Sequence, residues 1–98
     1  MKPTETKTTL DDEDMGTLCI CALRYCMGRE TYMPSLVIGI CAQLLTGMSD
    51  KTLGVMKNDC DFCFNYHMYG DESIDKPRWE WWQEKVLEEI KRREANKS

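Results

Sequence analysis

The chain has 98 residues, enough for one small domain near the size where a single apolar core is only marginally stabilising and oligomerisation is a common remedy. Its 13 Lys plus Arg stand against 17 Asp plus Glu, a net charge of -4, so bulk electrostatics oppose a DNA- or RNA-binding role, whose affinity comes largely from phosphate neutralisation. The opening Met1-Lys2-Pro3-Thr4-Glu5-Thr6-Lys7 has no apolar stretch and no small-residue cleavage site, so secretion is not expected. The longest apolar run, residues 36–45, contains Gln43 and is far shorter than the roughly 20 residues a bilayer requires, so it reads as a buried helix and no membrane association is expected. Six cysteines lie in apolar, helix-like segments rather than in turn-rich loops, and Cys19, Cys21, Cys26 and Cys41 suit reduced thiols packed as small hydrophobes.

Residues 1–8 are polar, Thr-rich and aperiodic, and read as a mobile tail ahead of one helical domain over 9–95. Thr9 with Asp12 three positions on fits a capping box, and the acidic run Asp11, Asp12, Glu13, Asp14 suits a positive helix N-terminus. A first helix is therefore predicted over about residues 10–27, with Gly28 as its left-handed stop. Leu18, Ala22 and Cys26 form one stripe and Cys19, Leu23 and Met27 another, so this helix is apolar almost all round apart from Arg24, which belongs in an interior or an interface.

Pro34 favours the first turn of a second helix ending at Gly47, again apolar on every face, with Ser35 and Gly39 spaced to admit another helix. Two such helices exceed what a monomer of this size can cover, and a homo-oligomer is expected. Ser49 caps a third helix over about residues 50–69, stopped by Gly70, with Leu53, Met56, Cys60, Cys63 and His67 on one face and Lys57, Asp61 and Asn65 turned away. After an acidic turn at residues 71–75, Pro77 opens a fourth helix with a buried stripe of Trp79, Trp82, Val86 and Ile90. Its outer face carries the pairs Glu88 with Arg92 and Glu89 with Arg93, and residues 94–98 are expected to fray. The fold class expected is all-α, a bundle of about four helices per chain with the first two forming a hairpin.

The chemistry-bearing segment is Ala22-Leu23-Arg24-Tyr25-Cys26-Met27-Gly28-Arg29-Glu30-Thr31-Tyr32-Met33. Between Thr17 and Ser49 the only charged residues are Arg24, Arg29 and Glu30. Arg cannot escape burial by losing its proton, so something anionic must meet these guanidinium groups: a carboxylate of the same chain or of a neighbouring subunit, or a phosphorylated ligand. Arg matches phosphate bidentately and Tyr offers a stacking face and a hydroxyl, so Arg24, Tyr25, Arg29 and Tyr32 form a candidate ligand pocket near the start of the second helix, where free N–H groups and the helix dipole add attraction.

No catalytic signature accompanies it. The only histidine, His67, lies near no nucleophile elbow, and there is no Walker loop and no GxGxxG, so no enzymatic activity and no cofactor are expected. Cys60-Asp61-Phe62-Cys63 with His67 has zinc-like composition, but four ligands are needed, and a packed Cys and His face is the simpler reading, with no metal expected. Trp79 and Trp82 read as core, while Trp81 falls off the stripe and suits an interface anchor or a lid over a pocket.

The segment over residues 22–33 resembles a pattern, ALRYALGRxTY, found in a family of small uncharacterised proteins encoded by bacteriophages and prophages, with Cys26-Met27 here where the pattern has Ala-Leu. Tyr69-Gly70-Asp71 and the stretch from Asp75 to Trp79 look similar to that family's C-terminal part. The resemblance implies a phage accessory protein in the cytoplasm of a bacterial host, and small accessory proteins of this kind commonly block host defence. Two kinds of blocker fit: a sponge that sequesters a nucleotide immune signal, such as a cyclic dinucleotide or an ADP-ribose derivative, without cleaving it, which the Arg and Tyr cluster favours; or an acidic inhibitor of a host nuclease or other host protein, which the net charge favours. A structural or regulatory phage protein with no ligand is the third class.

Overall fold

A computed structural model describes residues 11–27, 29–66 and 72–97, with the side chains of 66 and 72–75 left aside. Expectations placed on Thr9, Gly28, His67 and Gly70 fall outside these residues. The described chain is all-helical: α1 (Asp12–Cys26), α2 (Pro34–Leu44) continued by a short 3-10 turn (Leu45–Gly47), α3 (Asp50–Tyr66) and α4 (Glu72–Lys97). Helix α3 packs along α4, and α1 packs on both α2 and α3.

The capping box of α1 is built on Asp11, not on Thr9: Asp14 N donates to Asp11 Oδ1 at 2.9 Å, and Asp11 N donates back to Asp14 Oδ2 at 3.2 Å. Asp caps as well as Thr, and the residue three positions on can reciprocate from either frame, so pattern alone did not fix the register. Helix α3 begins as expected, with Thr52 N donating to Ser49 Oγ at 3.2 Å. Its ridge Leu53, Met56, Cys60 and Cys63 is buried. The N-terminus of α2 has a different solution: Met33 sits in the left-handed region at φ 45° and no side chain caps the first turn, which Pro34 opens. A left-handed methionine is a constraint the chain accepts to turn sharply into a helix whose φ is already set by proline.

Helix α4 departs most from expectation. It is helical from Glu72, so residues 72–75 belong to the helix, Pro77 lies inside it, and the last turns run to Lys97 rather than fraying at 94. Proline here removes the backbone bond that position 77 would otherwise donate to the carbonyl of residue 73, a loss confined to the second turn of a 26-residue helix. Trp79, Trp82 and Val86 are fully buried and Ile90 packs beside them. Beside Ile90, however, the buried ridge also takes in Glu89 and, one turn on, Arg93. Glu89 is only 6% exposed and is held by Arg92 Nη2 at 2.6 Å and Arg93 Nε at 2.7 Å. Glu88 instead meets Lys85 at 3.5 Å. The pair expected on the outer face between Glu89 and Arg93 is therefore internal, and Arg93 carries it across to the neighbouring elements by donating to Leu45 O and Asp50 Oδ1, each at 2.9 Å.

The helices that read as apolar all round are covered on one side only. On α1 and its C-cap, Cys19, Leu23, Cys26 and Met27 are buried while Leu18 and Tyr25 are exposed. On α2, Ile38 and Cys41 face inward while Leu36 and Ile40 remain about half exposed, and a Cβ added at Gly39 would meet nothing within 4 Å. Leu18, Ala22, Val37, Ile40 and Leu44 line a shallow apolar groove along this face, with Cys19 and Cys41 at its floor.

Candidate functional site

The residues of the Arg–Tyr segment divide between two environments. Arg24, on the last turn of α1, forms an ion pair with Asp59 of α3, whose side chain is only 11% exposed. The carboxylate of the same chain that the sequence left open as a partner is therefore Asp59, and the pair fastens α1 to α3. Tyr25, Arg29 and Tyr32 lie on the solvent side. The Arg29 guanidinium carbon stands 4.9 Å from the centroid of the Tyr25 ring, a cation–π distance, and among the described residues Arg29 forms no ion pair. Tyr32 is 85% exposed.

A fifth residue, Arg78 of α4, organises this corner and had no signal in the sequence, because its partners lie about fifty positions away. Its Nη1 donates to the carbonyls of Cys26 at 2.6 Å, Arg29 at 2.9 Å and Met27 at 3.5 Å. A cation on the orphaned carbonyls of a helix C-terminus complements both their lone pairs and the helix dipole. Its Nη2 donates to Glu30 Oε1 at 3.2 Å, and Glu30 itself is largely in solvent.

Beside Arg78 the first turn of α2 and the start of α4 enclose a cleft of about 320 Å³ lined by Ser35, Ile38, Pro77, Arg78 and Trp81. Trp81 is 41% exposed, unlike Trp79 and Trp82, and the Lys85 ammonium lies 5.1 Å from its ring centroid. Arg78, Trp81 and Lys85 thus make a cation–aromatic–cation stripe on one face of α4. The position off the core stripe was legible in the sequence; the cleft it lines was not.

Four of the six cysteines, Cys26, Cys41, Cys60 and Cys63, are held as protonated thiols by their surroundings. Five are buried and Cys21 alone is exposed. Burial pushes the Cys60 thiol up to about 12 and Cys63 to about 11, with nearby carboxylates adding to the rise. The hydrogen-bonded Cys19 thiol, together with burial, holds Cys41 well above the usual thiol range. Protonated thiols are poor nucleophiles and poor metal ligands. Among the described residues no group of three or more His, Cys, Asp or Glu side chains converges as a metal site, and no helix is long and apolar enough to cross a membrane.

Set against known protein families, curated proteins and solved structures, the chain matches none, so the site is read from its own geometry.

Proposed function

We propose that this chain is a non-catalytic binding protein of bacteriophage origin that sequesters a phosphorylated, nucleotide-derived signal of host defence, of the cyclic dinucleotide or ADP-ribose type, without cleaving it. It acts in the bacterial host cytoplasm as a homo-oligomer whose contact face is the apolar side of α1 and α2. The observation that carries the ligand class is Arg29: a guanidinium stacked on an exposed tyrosine and forming no ion pair among the described residues, three positions before the 85% exposed Tyr32. That combination offers a planar fork for a phosphate and phenol faces for a ring, at little cost in prior desolvation. Tyr25, Arg29 and Tyr32 are the contact residues, and Arg24 supports Tyr25 by tying α1 to Asp59.

The test starts from freshly purified protein, with its 260/280 nm absorbance ratio and the mass of extracted small molecules, followed by calorimetry against cyclic dinucleotides and ADP-ribose derivatives. Arg29→Ala is expected to weaken binding at least about tenfold, roughly 1.4 kcal/mol, with the urea midpoint unchanged. Arg24→Ala is expected to destabilise the fold by about 2 kcal/mol, because it leaves the Asp59 carboxylate without its cation. A wild type that carries and binds no nucleotide would reject the sponge. The acidic inhibitor would then stand in front, favoured by the exposed row Glu80, Glu84, Leu87 and Glu88 on α4, with co-purification of a host nuclease as its own test.

A further inference from the structure

The cleft between α2 and α4 is built in a way that the exposed Arg29 corner does not require. Arg78 is held at one amino group by three backbone carbonyls, so its fork keeps its place without any ligand. Among the described residues its other amino group is held by Glu30, a carboxylate 75% exposed. A surface pair of this kind is weak and screened by salt, whereas a phosphate presents more charge and more acceptor oxygens to the same fork. Three positions on, Trp81 lines the same cleft with its ring partly in solvent and Lys85 above it. Ser35 contributes a hydroxyl from a first turn of α2 that no side chain caps.

We propose that this cleft binds one phosphorylated heteroaromatic unit, a nucleoside monophosphate or one half of a larger nucleotide. Arg78 holds the phosphate, Trp81 stacks on the base, and Glu30 occupies the phosphate position until the ligand displaces it. This rests on the nucleotide-binding reading above and places one ring and one phosphate of the ligand in the cleft, in addition to the Tyr25, Arg29 and Tyr32 contacts. At about 320 Å³ the cleft lies at the lower end of small-molecule sites, a size that suits one nucleotide. A cyclic dinucleotide held here would leave its second half outside the cleft.

Tryptophan fluorescence provides the experiment, because Trp79 and Trp82 are fully buried and Trp81 is the ring a ligand can quench. The full-length protein is titrated with adenosine monophosphate, guanosine monophosphate, ADP-ribose, adenosine and inorganic phosphate. Both monophosphates are expected to quench, with adenosine and phosphate at least about tenfold weaker because each satisfies half of the site. Trp81→Ala, followed by calorimetry, is expected to lower monophosphate affinity about tenfold, the loss of one base stack. Arg78→Ala also removes the cation that holds the carbonyls at the end of α1, so Glu30→Gln carries the decisive reading: removing the competing charge should raise monophosphate affinity about threefold and leave the unfolding midpoint in place. No quenching by the monophosphates, or equal affinity in Glu30→Gln and Trp81→Ala, would overturn the cleft. If ADP-ribose binding is then lost in Arg29→Ala alone, the sponge stands with its site at the Tyr25 corner instead.

Discussion

Glu89 is the residue whose environment departs furthest from what its type suggests. It stands on the packed ridge of α4 and stays ionised because two guanidinium groups donate to it, Arg92 making the larger contribution and Arg93 the next, which together hold its carboxyl down to about 2. A carboxyl whose folded value lies below its unfolded one stabilises the fold at pH above the unfolded value, near 4.3, and loses that contribution as pH falls through the folded value. Acid titration is therefore expected to weaken the fold between about pH 5 and pH 2, with Glu89 accounting for about 2 kcal/mol; the figure is below the full shift because Arg92 lies half in solvent. Hydrogen bonds from Ser49 and Thr52 to Asp12, and from Arg93 and Lys97 to Asp50, lower those two carboxyls and add to the acid limb in the same direction. Glu89→Gln should flatten the limb and lower stability at neutral pH. Urea unfolding at pH 7 and pH 3 reads both effects, and an unchanged pH slope in the variant would show that Glu89 is not its source.

Helices α1 and α3 approach closely at one point, and glycine makes it possible. A Cβ at Gly16 would lie 2.8 Å from Thr52 Cγ2 and 3.3 Å from Met56 Cε. Thr52 cannot rotate away cheaply, since its hydroxyl donates to Asp12, which also accepts from Ser49 N at 3.1 Å and Ser49 Oγ at 2.6 Å. Gly16→Ala should therefore cost about 1–3 kcal/mol through overpacking, despite the better helix propensity of alanine. Gly54 gives the contrast within α3, because a Cβ there meets nothing within 4 Å. Gly54→Ala should stabilise by about 0.5–1 kcal/mol. Thermal unfolding of the two variants is expected to shift in opposite directions, and a shared sign would refute the close contact at Gly16.

At the scale of the whole molecule, the outward face of α2 is apolar and carries no charge. No charged residue occurs from Thr31 to Ser49, and α2 presents Leu36 and Ile40 outward beside Leu18 of α1. Two copies meeting on this neutral face would bring no like charges together despite a net charge of -4 on each. The proposed oligomer is expected to persist at micromolar concentration in sedimentation equilibrium. Ile40→Lys, at a position 48% exposed, should yield a folded monomer with stability changed by less than about 0.5 kcal/mol. A monomeric wild type of 11.5 kDa would remove this face as an interface.

What the sequence determined by itself was whatever depends on local periodicity. Apolar spacing at three and four residues located the four helices and most of the core, from Leu53, Met56, Cys60 and Cys63 to Trp79, Trp82 and Val86, because burial of a helix face leaves its mark on the same helix. Pro34 and Ser49 marked helix starts because capping is chemistry of neighbouring residues. It also showed that Arg24 needed an anion, without showing which. Only the tertiary structure decided that Asp59 answers Arg24, that Glu89 and Arg93 continue a packed ridge, and that Arg78 closes the end of α1 beside Trp81. Each of those pairings but the Glu89–Arg93 contact joins residues dozens of positions apart. A charged side chain carries no local sign of whether water or a distant helix will cover it, since that depends on how the helices meet rather than on the order in which they are written.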